Sequence, residues 1–329
     1  MLSEVKSVFG REGGSRTIPN VIVIVGPTCT SKTNLSIKLA QIIPSEIISA
    51  DSRQIYKFLD IGTAKPSKDE LEIVPHHLIG ILDPSANYDA SVFEKDAEVT
   101  IEKIFSKNKT PMVVGGSGLY IKALIDGIFN TADKDESFRK ELIQKRKELG
   151  NEFLYKELKK VDPKSAAKML TQNWKRVIRA LEVYHTTGKP IWEHHQNQSS
   201  KKEKKYQFKQ FGLNWKRETL YENINNRVDE MIEKGFIEEV KNILESGYGR
   251  NLNSLNTVGY KEIIEHLEGN LTLEQAIELI KRNTRHYAKR QLTWFRKDNR
   301  IQWFDINDLS ELDQIANKII QNLKNPFIQ

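Results

Sequence analysis

The most constraining feature of this chain is residues 26–33, Gly-Pro-Thr-Cys-Thr-Ser-Lys-Thr. The apolar run Val21-Ile22-Val23-Ile24-Val25 precedes it, and a helix-like stretch over 34–43 follows. Strand, short loop, Lys-Thr and helix together form the layout of a phosphate-binding loop. In such a loop the backbone N–H groups and the helix N-terminus cradle phosphate oxygens. Gly26, Pro27, Thr28, Cys29, Thr30, Ser31, Lys32 and Thr33 are therefore the candidate phosphate ligands. Lys32 supplies positive charge and the Thr33 hydroxyl can ligate magnesium. One residue departs from the pattern G-x-x-x-x-G-K-[ST]: Ser31 occupies the place of the second glycine. If that position needs a positive φ, serine costs on the order of 1–2 kcal/mol relative to glycine. The competing reading is an ordinary strand-to-helix turn that binds nothing.

Other segments place this loop in an α/β frame. Residues 46–50 and 111–115 are further short apolar strand candidates, and residues 91–107 form a helical stretch between them. Continuous apolar strands alternating with helices imply a parallel sheet covered on both faces. Ligands of such sheets sit at the carboxyl ends of the strands. Residues 26–33, 51–54 and 115–118 all follow strand candidates, so three loops are expected to converge on one crevice. From 131 to 205 the composition changes to charged helical material, with helices expected over 135–149 and 174–185 and an exposed polar tract over 196–205. A strand is expected over 208–213 and another over 300–304. Helices are expected over 217–234, 237–245, 258–267, 273–297 and 309–323. The expected organisation is a leader over 1–20, a P-loop-type α/β core over 21–130 and 206–329, and a small all-helical insertion over 131–205.

Composition narrows the class. Hydrophobic residues make up 38% and charged residues 29%, which suits a globular chain rather than a disordered one. No apolar run approaches the ~18 residues of a membrane span. Residues 1–20 have no apolar core of a secretory signal. Cys29 is the single cysteine, so an internal disulfide and a cysteine-based zinc site are excluded. These features point to the cytoplasm. The net charge of +7 favours an anionic partner, nucleic acid before membrane.

Several side chains carry possible chemistry. Asp51, at the end of the second strand candidate, can organise magnesium or act as a general base; the alternative is a loop aspartate capping a turn. The Gln54 amide is of the type that reads adenine by paired donor and acceptor bonds. Gly115-Gly116-Ser117-Gly118 enters a helix and offers Ser117 as a donor, or is only a tight turn. His76 and His77 are adjacent, with no partner pattern for a metal, and read as structural. Lys175 and Arg179 share a helix face, as do Arg176 and Arg179. Lys281, Arg285 and Lys289 repeat at i, i+4 and i+8. These basic rows are either phosphate contacts or solvated helix faces.

Taken in order, the motifs resemble one family. Gly26-Pro27-Thr28, Asp51-Ser52-Arg53-Gln54-Ile55-Tyr56 and Asp60-Ile61-Gly62-Thr63-Ala64-Lys65-Pro66 open the series. Pro75-His76-His77-Leu78 and Gly115-Gly116-Ser117-Gly118-Leu119-Tyr120 continue it. Arg176-Val177-Ile178-Arg179-Ala180-Leu181-Glu182, Thr187-Gly188-Lys189-Pro190, Val258-Gly259-Tyr260 and Gln291-Leu292-Thr293-Trp294-Phe295 complete it. The set resembles the bacterial tRNA dimethylallyltransferases, also called tRNA isopentenyltransferases, over about residues 21–304. The resemblance implies transfer of a dimethylallyl group from dimethylallyl diphosphate to the N6 amine of adenosine 37, in tRNAs that read codons starting with U. It implies that the loop, although of the ATP-binding type, holds the prenyl diphosphate with Mg2+. Thr28 and Lys32 then contact the diphosphate, and Thr33 contacts the metal. Asp51 is the base and Arg227 steadies the leaving group. The tRNA contacts it implies are Asp51, Ser52, Arg53, Gln54, Ser117, Arg139, Lys175, Arg176, Arg179, Lys281, Arg285 and Lys289. The helical insertion is expected to grip the anticodon stem-loop, and the enzyme to be a monomer. The family has glycine where Ser31 stands. Alternatives are a small-molecule P-loop kinase, a tRNA-binding relative with impaired catalysis because of Ser31, and a prenyltransferase of free adenine nucleotides.

Overall fold

The computed structural model describes residues 18–128, 135–198 and 205–324. The expected leader, up to residue 17, and residues 199–204 of the polar tract lie outside the described residues. The chain divides into two compact units, Met1–Ile125 with Lys204–Gln329, and Asp126–Glu203.

The first unit begins with β1 (Asn20–Val25) and α1 (Lys32–Ile42), then β2 (Ser45–Ser49), α2 (Lys68–Ile73) and β3 (His76–His77). It continues through α3 (Ala90–Ser106), β4 (Thr110–Gly115) and α4 (Gly118–Asp126). The second unit holds α5 (Glu136–Val161), α6 (Pro163–Ala166), α7 (Trp174–Thr187) and α8 (Ile191–Gln198). The first unit resumes with β5 (Gln207–Trp215), α9 (Arg217–Glu233), α10 (Phe236–Glu245), α11 (Tyr260–Leu267) and α12 (Leu273–Phe295). It closes with β6 (Ile301–Ile306), a 3-10 turn (Leu309–Glu311) and α13 (Leu312–Lys324).

The described strands form one sheet in the order β3-β2-β4-β1-β5-β6, parallel throughout. β1 is central because Val21 to Val25 are fully buried. β-branched residues suit a strand covered on both faces. With β2, β4 and β1 parallel and adjacent, their carboxyl ends lie side by side, and the loops after them share one edge of the sheet.

β3 has no counterpart among the strand candidates. It is two residues long and carries no apolar run, so periodicity could not show it. A polar cluster helps hold it in place. Glu46 on β2, its side chain only 2% exposed, accepts from His77 Nε2 at 2.8 Å, Lys109 Nζ at 2.9 Å and Lys107 Nζ at 3.0 Å. The histidine pair is thus a structural feature here: His77 meets Glu46 and the His76 ring bonds the Val74 carbonyl. Burial alone would raise the Glu46 carboxyl. The hydrogen bonds from Lys109, His77 and Lys107 outweigh it and hold the group at about 2. The stabilisation is therefore complete above the ordinary carboxylate range and lost as pH falls toward 2. Because the two lysines remain half-exposed, solvent screening reduces its size. Glu46→Gln is expected to lower stability at pH 7 by about 1–3 kcal/mol. Urea unfolding should show the gap to wild type closing as pH is lowered to 3; an equal gap at both pH values would remove the ionised cluster as its cause.

The second unit is helical in all its described elements. Its core is Leu142, Leu154, Leu158, Ala166, Val177, Ile178, Ala180 and Leu181. The sequence pattern stops α5 near residue 149, whereas the helix resumes after a kink and runs to Val161. Gly150, at φ 81°, takes a left-handed turn that other residues rarely adopt. Gly188, also left-handed at φ 68°, ends α7.

Candidate functional site: a phosphate loop beside a carboxylate

The loop after β1 departs from an ordinary turn in its backbone. Gly26 has φ 152°, and a Cβ there would lie 2.7 Å from the Leu213 carbonyl oxygen on β5, so only glycine fits. Cys29 and Ser31 are both left-handed, at φ 62° and 61°. Ser31 is the N-cap of α1 but its hydroxyl makes no capping bond. The serine thus stands in the conformation that glycine adopts without strain. We expect Ser31→Gly to raise fold stability by about 1 kcal/mol, the left-handed strain outweighing glycine's greater unfolded-state freedom. Its activity should be preserved or raised. A thermal melt beside an activity assay checks both; a glycine variant that melts lower would show that the loop relieves the strain in another way.

The Pro27 carbonyl folds the loop inward by accepting from Lys32 Nζ at 2.6 Å and Thr30 Oγ1 at 2.8 Å. Burial lowers the Lys32 ammonium to about 8, and the positive Arg227 pushes the same way. Cys29 and Asp51 pull in the opposite direction. Lys32 and Asp51 therefore share one electrostatic environment. Arg227, on α9, donates to Thr28 Oγ1 at 3.4 Å. Thr33 stands on the first turn of α1, in the first residues whose N–H groups lack helical partners.

Asp51 follows β2. Its Oδ1 accepts the N–H groups of Arg53 at 2.8 Å and Gln54 at 3.3 Å. The aspartate therefore does cap a turn, and both of these bonds fall on one oxygen. The turn fixes the carboxylate through Oδ1. The third loop joins the second: Ser117 Oγ accepts the Ser52 N–H at 3.0 Å, and the Ser117 N–H donates to the Ala50 carbonyl at 3.2 Å. Burial, reinforced by the charge of Asp51, holds the Tyr287 hydroxyl of α12 well above its ordinary range.

Two residues outside the expected site set make polar contacts here: one ties the loops after β1 and β4 together, and one clamps residues 60–62 to α10. Gln291 on α12 is only 7% exposed. Its Oε1 accepts the Thr28 N–H at 2.9 Å, and its Nε2 donates to the Gly116 carbonyl at 2.9 Å. The motif Gln291-Leu292-Thr293-Trp294-Phe295 is a signal for it, although the motif does not show which side chain matters. The second is Glu239 on α10. It accepts the N–H groups of Asp60 at 3.0 Å, Ile61 at 2.6 Å and Gly62 at 3.1 Å, and the Tyr260 hydroxyl at 2.6 Å. No sequence pattern marks it.

Several expected tRNA contacts are engaged elsewhere. The Gln54 amide donates to the Thr63 and Ala64 carbonyls at 3.2 and 3.0 Å, and accepts from Ser49 Oγ at 3.1 Å. Both amide hydrogens are used, so Gln54 supports the loop clamped by Glu239; reading a base would require exchanging these bonds. Arg53 donates to the Asn253 carbonyl at 2.7 Å. Lys281 pairs with Asp229 at 2.8 Å and its side chain is only 16% exposed. Arg285 donates to Asn225 Oδ1 at 2.7 Å. The row 281, 285, 289 is thus not uniformly exposed. Its first two members lie against α9, and Lys289 alone of the three is exposed. In the second unit Arg139 contacts both oxygens of the buried Glu182 at 2.9 Å, and Arg179 lies 3.9 Å from the same carboxylate. Lys175 and Arg176 are exposed.

The oxygen donors of this crevice suit magnesium carried in with a phosphate ester. Among the described residues no cluster of three acidic, histidine or cysteine side chains could hold a metal. Magnesium commonly takes one or two protein oxygens plus substrate phosphates, and Thr33 and Asp51 are of that kind. Among the described residues no helix is long and apolar enough to cross a membrane.

Known proteins place this geometry in context. The IPP transferase family profile matches residues 54–298. The tRNA dimethylallyltransferase of Carboxydothermus hydrogenoformans is 48% identical, over 91% of this chain and 96% of that protein. That of Acetivibrio thermocellus is 47% identical, over 93% and 96%. Among solved structures, the full-length tRNA isopentenylpyrophosphate transferase of Bacillus halodurans is 41% identical with a TM-score of 0.68, covering 94% of this chain and 97% of that one. A eukaryotic dimethylallyltransferase acting on tRNA is 32% identical with a TM-score of 0.79, covering 94% and 79%.

Proposed function

The chain belongs to the IPP transferase family, and from that premise we propose that it transfers a dimethylallyl group from dimethylallyl diphosphate to tRNA. The acceptor is the exocyclic N6 amine of adenosine 37, in tRNAs that read codons starting with U. The observation that carries this reading is the left-handed loop after β1 together with a carboxylate after β2 that two backbone N–H groups fix and whose charge acts on the Lys32 ammonium.

The chemistry follows from the residues. The loop N–H groups and Lys32 hold the diphosphate, and Arg227 approaches from α9 toward Thr28. Thr33 would hold magnesium, which would supply further positive charge there. As the allylic C–O bond breaks, its electron pair goes to the diphosphate, and these cations stabilise the charge that develops. The N6 lone pair forms the new C–N bond. Asp51 Oδ2 takes the N6 proton, which is needed because a conjugated amine is a poor nucleophile. The target base must leave its stack before the amine is reachable. Lys175 and Arg176 in the second unit, and separately Lys289 in the first, are exposed cations suited to the tRNA backbone. In this reading the enzyme works as a monomer in the cytoplasm.

Incubating the protein with tRNA and dimethylallyl diphosphate, followed by mass analysis of nuclease digests, tests the proposal. The expected product is an adenosine carrying one added five-carbon unit. Binding of tRNA without transfer would instead support the catalytically impaired relative. Transfer to free nucleotides but not to tRNA would point to the small-molecule prenyltransferase.

A further inference from the structure

Helix α12 packs one face against the loops after β1 and β4. Tyr287, Gln291 and Trp294 are spaced i, i+4 and i+7, which puts them on one stripe. Tyr287 lies in the field of Asp51, and Gln291 bridges Thr28 and Gly116. Trp294 packs so closely on Gly118 that a Cβ there would overlap the indole. A Cβ on Gly116 would likewise overlap the Gln291 amide. These glycines admit the helix to the loops.

The Gln291 amide has a particular position. It is buried, and its two bonds reach loops that follow different strands, one after β1 and one after β4. It takes the Thr28 N–H, so that group is not free for a phosphate oxygen. It thereby fixes the backbone of the residue whose hydroxyl meets Arg227. We infer that Gln291 is a positioning residue: it sets the Thr28 hydroxyl against Arg227 and the diphosphate by joining the phosphate loop to the Gly116 turn. The inference rests on the proposed diphosphate site.

A double-mutant cycle tests it with the full-length enzyme, reading kcat/KM for dimethylallyl diphosphate at saturating tRNA. Thr28→Val removes the hydroxyl while keeping the backbone N–H. Gln291→Met keeps length and volume but removes both bonds. Alone, Gln291→Met should lower kcat/KM for the diphosphate about tenfold or more, with tRNA affinity unchanged within about twofold. In the Thr28→Val background the same change should cost less than about twofold, because the group it positions is already gone. A second variant, Gln291→Asn, retains the amide on a shorter stem and should recover little of the loss, since it cannot span both loops. Additive losses in the cycle, or a loss of tRNA affinity equal to that for the diphosphate, would overturn the inference. If Gln291→Met melts too low to assay, the cycle is read with Gln291→Asn in its place. The failure of the underlying site has a different signature: Thr28→Val and Lys32→Met would then each leave diphosphate kinetics at wild-type values.

Discussion

Asp51→Asn is expected to slow transfer by ~10²–10⁴-fold. The asparagine carbonyl can still accept the Arg53 and Gln54 N–H groups that now bond Oδ1, so the turn after β2 is kept. What disappears is the proton acceptor. Affinities for tRNA and for dimethylallyl diphosphate should change far less, because the lost interaction acts mainly in the transition state. Single-turnover transfer with both substrates saturating measures the chemical step. A thermal melt alongside it separates catalysis from fold support, and a magnesium titration separates it from metal organisation. Near wild-type turnover would remove Asp51 as the base. A variant with weakened magnesium dependence and rescue at high magnesium would assign it to the metal instead.

Diphosphate affinity should fall as pH rises above about 8. In the free protein burial and Arg227 hold Lys32 at about 8, so above that pH its ammonium is progressively lost. A bound diphosphate restores the proton, and binding then carries the cost of protonation. Affinity is therefore full below 8 and weakens by up to about tenfold per pH unit above it. Titration calorimetry at pH 7 and 9 should show roughly a tenfold difference, with proton uptake at pH 9. Lys32→Arg keeps its charge throughout this range and should flatten the slope, whatever its absolute affinity. A wild-type profile that stays flat from 7 to 9 would exclude Lys32 from neutralising the ligand. The free fold has the opposite sign. Between about 8 and 10.5 the unfolded chain binds more protons at Lys32, so this residue makes the apo protein gain stability as pH rises through that window.

Much of the site is legible in the amino-acid sequence because its determinants are local. The β-branched run Val21 to Val25 calls for a strand buried on both faces. The spacing from Gly26 to Thr33 dictates a tight loop into a helix, and the missing glycine at Ser31 marks a position that does take a left-handed backbone. Asp51 and Ser117 are legible for the same reason: each follows a strand, and parallel neighbouring strands bring such loops to one edge of a sheet. Caps, periodicity and backbone sign depend on residues a few positions apart, and the chain states them directly.

Tertiary structure decided the partners. Gln291 meets a loop 263 residues earlier in the chain, and Glu239 reaches Asp60 across 179. A glutamine or glutamate in a helix carries no mark of what its far end will touch. The basic row on α12 shows the same limit in reverse. Its spacing shows the repeat, but only packing against α9 gives Lys281 its partner Asp229 and Arg285 its partner Asn225. Strand β3 and the buried Glu46 also escaped the pattern, since two polar residues at a sheet edge have no periodicity. Sequence determined where this chain turns, strains and carries charge; the fold decided which charges stay free, because a hydrogen bond between distant residues exists only once the sheet has brought them together.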